Sequence, residues 1–213
     1  IRAPFGGGVH GGLYHSQSVE AYYAHVPGLK VVIPSTPEDA KGLLKSSIRD
    51  PDPVMFFEHK KTYRLIKGEV PDGDYATPLG KAAVRREGAS LSCFAWGLMA
   101  HYCMQAAEEL EADGVSVEVI DLRTLKPLDK ETILASVRKT ARALVVYEDN
   151  LTGGFGAEVA AIIAQEAFEH LDAPVVRVAA PDVPAMPFNK PQEDAFMPSP
   201  ERIAAEMRKL AAY

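Results

Sequence analysis

Leu29-Lys30-Val31-Val32-Ile33-Pro34-Ser35-Thr36-Pro37-Glu38-Asp39 is the stretch that decides the fold. A short apolar run stopped by proline reads as a buried strand. Thr36 then starts a helix, with Pro37 at its first position and Asp39 three residues after the cap. A period of about 3.6 residues carries this helix from Pro37 to Arg49, with Ala40, Leu43, Leu44 and Ile48 on the inner face. Asp50-Pro51-Asp52-Pro53 ends it. Val54-Met55-Phe56-Phe57-Glu58 follows, apolar almost throughout, as expected of a central strand in a parallel sheet covered on both faces. No strand is expected ahead of this strand-helix-strand unit, so half of its domain is expected to lie outside the chain.

Downstream, the composition turns polar between His59 and Thr77, which reads as a linker. The alternation then resumes. Strands are expected at Lys81 to Arg85 (an edge), Ser90 to Ala95, Val115 to Ile120, Ala143 to Tyr147 and Pro174 to Val178. Helices are expected from Leu98 to Ala112, from a cap at Asp129 to Lys139, from Gly153-Gly154-Phe155-Gly156 to Glu169, and from Ser199-Pro200-Glu201 to Tyr213. This rhythm argues for an α/β protein built on mostly parallel sheet. Met99, Cys103, Ala106 and Leu110 form one helical stripe and read as core filling.

The 213 residues are 47% hydrophobic and 24% charged, the make-up of a globular protein. A net charge of −6 without a basic run argues against nucleic-acid partners, and no apolar run approaches the ~20 residues that span a bilayer. Cys93 and Cys103 have neither a C-x-x-C pattern nor a histidine cluster beside them, so neither a disulfide framework nor a zinc site is expected, and a reducing compartment fits.

The strongest candidate for chemistry is His15. It follows Gly6-Gly7-Gly8-Val9-His10-Gly11-Gly12, a run able to reach positive φ, and precedes Ser16-Gln17-Ser18-Val19-Glu20, where Ser16 or Ser18 is expected to cap a helix with Glu20 in its first turn. An imidazole there suits proton transfer near neutrality, but a structural histidine capping a turn suits the residues equally. His10 reads as structural. Gly153-Gly154-Phe155-Gly156 lacks the spacing and lysine of a phosphate loop and reads as a site of close packing, with Glu148 and Asp149 as a solvated strand end. Asp50-Pro51-Asp52-Pro53, after the helix end at Ser46-Ser47, gathers carbonyl and carboxylate oxygens, a pattern shared by cation sites and by plain helix stops.

The run from His15 to Pro34, with Asp39-Ala40-Lys41-Gly42-Leu43-Leu44, Val119-Ile120-Asp121-Leu122-Arg123-Thr124 and Leu151-Thr152-Gly153-Gly154-Phe155-Gly156-Ala157-Glu158, strongly resembles the β subunits of 2-oxo acid dehydrogenase E1 components, thiamine-diphosphate enzymes of the transketolase-like superfamily. Ser18 with Glu20, Phe56-Phe57-Glu58 with Lys60, Tyr63-Arg64 and Tyr213 resemble the branched-chain type. His59, where the family often has proline, and the segment from Pro184 to Ala195 depart from the pattern.

The resemblance implies part of a pyrimidine-binding domain at 1–68, a linker at 69–78 and a transketolase C-terminal domain at 79–213. It implies oxidative decarboxylation of branched-chain 2-oxo acids such as 3-methyl-2-oxobutanoate, with acyl transfer to the lipoyl group of the E2 acyltransferase. The assembly implied is α2β2, cytoplasmic or in the mitochondrial matrix of a eukaryote. Thiamine diphosphate would be shared with the α subunit, which supplies the Mg2+ and diphosphate site, and the glutamate that activates the cofactor would lie upstream of Ile1. Of the catalytic residues, His15 alone maps onto this chain, to protonate the opening dithiolane or to stabilise charge on the enamine. Ser47, Asp50 and Asp52 map to a monovalent-cation region, with K+ expected. A pyruvate-type enzyme is the alternative substrate reading; a noncatalytic fragment for assembly and E2 docking is the alternative of another class.

Overall fold

The computed structural model describes all residues from Ile1 to Tyr213. The first part of the chain runs β1 (Arg2–Phe5), α1 (Gly12–His15), α2 (Glu20–Ala24), β2 (Lys30–Val32), α3 (Pro37–Arg49), β3 (Val54–His59) and α4 (Thr62–Leu65). After an irregular stretch come β4 (Ala83–Arg86), β5 (Leu91–Ala95), α5 (Leu98–Glu111), β6 (Val117–Asp121), β7 (Thr124–Lys126) and α6 (Lys130–Thr140). The chain ends with β8 (Ala143–Asn150), α7 (Gly156–Glu166), a short 3-10 turn, β9 (Val176–Ala180), α8 (Lys190–Phe196) and α9 (Pro200–Ala211).

Two sheets form, ordered β1-β3-β2-β7 and β4-β6-β5-β8-β9. All pairings are parallel except β2 with β7 and β4 with β6. The α3 cap forms as its residues dictate, with the Thr36 hydroxyl accepting from the Asp39 amide at 3.2 Å. Asp129 likewise accepts from the Thr132 amide to start α6. Met99, Cys103, Ala106 and Leu110 are buried in the core between α5 and the second sheet.

Two expectations need correction, and one strand was not expected at all. A strand does precede the glycine run: β1 pairs with β3 from Arg2↔Phe56 to Phe5↔His59, and as an edge strand it tolerates Pro4, whose missing N–H leaves no central ladder broken. The buried arc of α3 is Asp39, Gly42 and Leu43, and Ile48 is 75% exposed. Two contacts turn the helix this way: Arg85 and Arg123 draw in Asp39, and the chain at Tyr75 and Thr77 lies directly on Gly42, where a Cβ would meet the Thr77 hydroxyl at 2.1 Å. Finally, β7 comes from the second half of the chain yet joins the first sheet, antiparallel to β2.

The two sheets share a core. Phe5, Val31, Met55 and Phe57 of the first pack in one cluster with Phe94, Ile120, Val145 and Tyr147 of the second, joined by Ile33 and Trp96 just past the ends of β2 and β5. The carboxyl ends of β1 and β3 thereby meet the carboxyl end of β8, the kind of place where open α/β sheets gather functional groups.

Candidate functional site

The glycine run leaves β1 with Gly6 at φ +89°, Gly8 at +77° and Gly12 at +58°. His15 closes the one-turn helix α1 with its side chain exposed, and its carbonyl accepts from the Lys60 ammonium. Contrary to expectation, neither serine caps α2, because both hydroxyls are engaged elsewhere. Ser16 accepts from the Gly11 amide at 3.0 Å, tightening the turn around His15, and Ser18 donates to Glu148 at 2.9 Å.

Glu148 is not a solvated strand end. β8 runs through Asn150, and Glu148 is buried against the first half of the chain. Its Oε1 accepts from the Gly7 amide at 2.7 Å as well as from Ser18, and its Oε2 lies 2.7 Å from His59 Nε2. Burial alone would raise its pKa, but the His59 ring and these two donors together hold it below the usual carboxylate range. Asp149 beside it is pushed up to about 6 by burial, with the Glu148 charge adding to the effect. Glu20, fully buried, is pushed up to about 8 by burial and then by Asp149, while its Oε1 accepts from Trp96 Nε1 at 2.9 Å.

A second buried carboxylate holds the same run. Glu193 of α8 accepts from the amides of Gly8 at 2.9 Å and His10 at 3.2 Å, and His10 Nδ1 lies 2.7 Å from its other oxygen. Gln17 accepts from the Met186 amide at 2.9 Å, and Met186 and Met197 crowd Gly7 so closely that a Cβ there would come within 2.7 Å of Met186. The segment that departs from the family pattern is thus a strap over the loop that presents His15. Its one recoverable signal was Asn189 ahead of Pro191 and Gln192: the Asn189 side chain caps α8 by accepting from the Gln192 amide at 3.0 Å.

Ser47, Asp50 and Asp52 lie at the other end of the first sheet, where β2 and β3 begin, away from the carboxyl ends that meet His15. Lys30 Nζ sits 2.6 Å from Asp50 and 3.1 Å from Asp52, and the Ser47 hydroxyl donates to the Leu43 carbonyl at 2.7 Å. Hydrogen bonding to Lys30 holds Asp50 below its ordinary pKa. The positive charge at this corner is therefore supplied by Lys30. No group of three or more His, Cys, Asp or Glu side chains in the chain is placed to hold a metal ion.

Gly154 and Gly156 allow close packing as expected. A Cβ at Gly154 would come within 2.3 Å of the Asn150 carbonyl, and one at Gly156 within 2.0 Å of the Tyr147 ring. The tyrosine itself stacks on Trp96, with centroids 5.6 Å apart.

Two sheets joined through one core, with a glycine loop clamped where their strands end, define an α/β protein of two transketolase-type units. Residues 1–66 match the transketolase pyrimidine-binding domain and residues 80–203 the transketolase C-terminal domain, and the chain belongs to the transketolase family. It is 57% identical over all 213 residues to the 2-oxoisovalerate dehydrogenase subunit beta of Bacillus subtilis, and 52% identical to the pyruvate dehydrogenase E1 component subunit beta of the same organism. The chain spans 65% of the length of each. Among solved structures, a split-gene transketolase described as an inactive beta4 tetramer superimposes with a TM-score of 0.81 at 26% identity, covering the whole of this chain and 66% of that one.

Proposed function

We propose that this chain belongs to the β subunit of a branched-chain 2-oxo acid dehydrogenase E1 component, and that His15 is its proton-transfer residue. The observation that carries this is the presentation of His15: a loop rich in positive-φ glycines, tied at Gly7, Gly8 and Ser18, exposes its imidazole where the strands of both sheets end, while His10, the other histidine of the loop, is turned onto Glu193. In this reading residues 1–68 are part of the pyrimidine-binding domain, 69–78 a linker and 79–213 the C-terminal domain. The assembly is α2β2 with an α subunit, working with a lipoyl-bearing acyltransferase in the cytoplasm, or in the mitochondrial matrix for a eukaryotic source.

The donor chemistry near His15 does not by itself fit thiamine diphosphate. Glu148 is buried and occupied by an amide, a hydroxyl and an imidazole, Glu193 holds two amides, Glu20 accepts from Trp96 through one oxygen, and the cations beside the glycine run are engaged within the chain, Lys60 on the His15 carbonyl and Lys61 on the Tyr102 hydroxyl. The reading therefore assigns the diphosphate and its Mg2+ to the α subunit and the activating glutamate to a part of the subunit before Ile1. His15 itself is suited to deliver a proton to the sulfur released when an incoming dithiolane opens, a general-acid contribution of roughly 10²- to 10⁴-fold. In the full-length subunit assembled with its partner, His15→Ala should spare folding and impair reductive acylation of the lipoyl group; undiminished acylation would remove His15 from the mechanism.

The 52% identity to a pyruvate-type subunit supports a second substrate reading, which rates on 3-methyl-2-oxobutanoate against pyruvate separate. For the corner at Ser47, Asp50 and Asp52, a bound K+ would have to displace Lys30 from both carboxylates. A rise in thermal stability with K+ but not with Na+ supports such a site, and equal curves in the two salts reject it.

A further inference from the structure

We propose that Glu148 is a positioning residue for His15, clamping the loop on both sides of it from across the interface between the two sheets. This rests on the reading of His15 as the proton donor. All three partners of the Glu148 carboxylate lie in the first part of the chain: the Gly7 amide and the Ser18 hydroxyl, which bracket His15 in sequence, and the ring of His59. None lies in the sheet that carries Glu148 itself, where Val145 and Val146 ahead of it are fully buried and apolar and Asp149 beside it is a second carboxyl group that offers it no donor. A buried carboxylate in such a strand has a large desolvation penalty, and here the interactions that offset it all act on the loop or its floor.

The floor is His59. Its ring packs edge-on against Phe5 with centroids 5.1 Å apart, and Gly6 lies so close that a Cβ there would come within 2.2 Å of Nε2. The loop has little stiffness of its own, since glycine backbone has the most freedom to lose. Held at Gly7 and Ser18, the segment between them has both ends fixed to one rigid strand end, and His15 inherits that placement. Catalytic geometry is sensitive on this scale, because a displacement of about 1 Å can lower a rate 10²-fold.

The test uses the full-length subunit assembled with its partner, carrying Glu148→Gln, His15→Gln or both. Glu148→Gln keeps the size of the side chain and one acceptor but removes the charge. It should speed hydrogen exchange of the Gly6–His10 amides about tenfold or more. It should also lower kcat for lipoyl acylation about 10- to 100-fold, with KM for the 2-oxo acid nearly unchanged. Because Glu148 acts through His15, the double variant should be no slower than His15→Gln alone. Wild-type exchange in Glu148→Gln overturns the clamp, and losses that multiply in the double variant overturn its action through His15. If Glu148→Gln does not assemble, Ser18→Ala decides the matter: it removes one hydroxyl from the clamp, and exchange or kcat equal to wild type in that variant overturns the proposal. Undiminished acylation in His15→Gln would instead remove the reading of His15, while the exchange measurement judges the clamp separately.

Discussion

Asp39 Oδ1 accepts a hydrogen bond from Arg123 Nη1 at 2.8 Å, joining the first turn of α3 to the segment between β6 and β7. Its other oxygen pairs with Arg85, which also bonds Asp121 at 2.8 Å. Burial would raise the pKa of Asp39, but Arg85 and then Arg123 outweigh it and hold the group below its ordinary value. A lowered folded pKa means stability that is present above the unfolded value and is lost as pH falls through the folded one. Asp39→Asn should destabilise the chain by about 3 kcal/mol at pH 7, leaving two guanidinium groups short of a counter-charge. Urea denaturation should show the gap between variant and wild type narrowing below pH 4, about where free carboxylates titrate. A gap that is the same at both pH values would refute the charge argument.

Glu20 carries the opposite sign. Its pKa is raised from an ordinary 4.5 to about 8 by burial and by Asp149, so the folded state holds its proton more tightly than the unfolded one. The associated stability is fully present below the unfolded value and is lost as pH rises toward about 8. Glu20→Gln retains an oxygen for the Trp96 indole but cannot ionise. Its melting temperature should fall less than that of wild type between pH 6 and pH 8.5, and parallel melting curves across that interval would contradict the assignment.

The cap at Thr36, the cap at Asp129 and the stripe on α5 were legible because each signal is local: a side chain three residues from its amide, or a repeat along one helix. β7 was not, since Thr124-Leu125-Lys126 is too short to show alternation and takes its place only by pairing with β2, far upstream. The site divides in the same way. His15 stood out by its glycine approach and by family resemblance. The burial of Glu148 and Asp149 did not, because charges at a strand end look solvated until the first half of the chain packs over them and Gly7, Ser18 and His59 are brought onto Glu148. Lys30 is the converse case, where a residue within a strand reaches the acidic corner after α3 and answers charges that had looked open to an ion.

Gly156 tests the packing of α7 on the second sheet. Its backbone lies on the face of Tyr147, where an added Cβ would be 2.0 Å from the ring, and Tyr147 is stacked on Trp96 and cannot yield without moving it. Gly156→Ala should therefore destabilise the chain by about 1–3 kcal/mol, the range for overpacking a filled core, despite the better helix propensity of alanine. Chemical denaturation measures this directly. A variant as stable as wild type would mean that α7 shifts freely, and the close-packing role of the glycine would fall.

Glu193 should act on local rather than global stability. It is buried and holds the Gly8 and His10 amides, yet it sits on α8, a seven-residue helix in the strap between β9 and α9. His10 adopts φ +57°, uncommon for a residue with a side chain, and two of the three contacts to Glu193 hold it there. Glu193→Ala leaves both amides without an acceptor and that backbone without its tether. The strand cores are untouched, so the midpoint of global unfolding should move little. Cleavage within Gly6–Gly12 by a nonspecific protease should accelerate about tenfold under native conditions, since proteolysis follows the local opening equilibrium. Cleavage at the wild-type rate would show that the loop is held without Glu193, leaving Glu148 and the Gln17–Met186 contact to fix it.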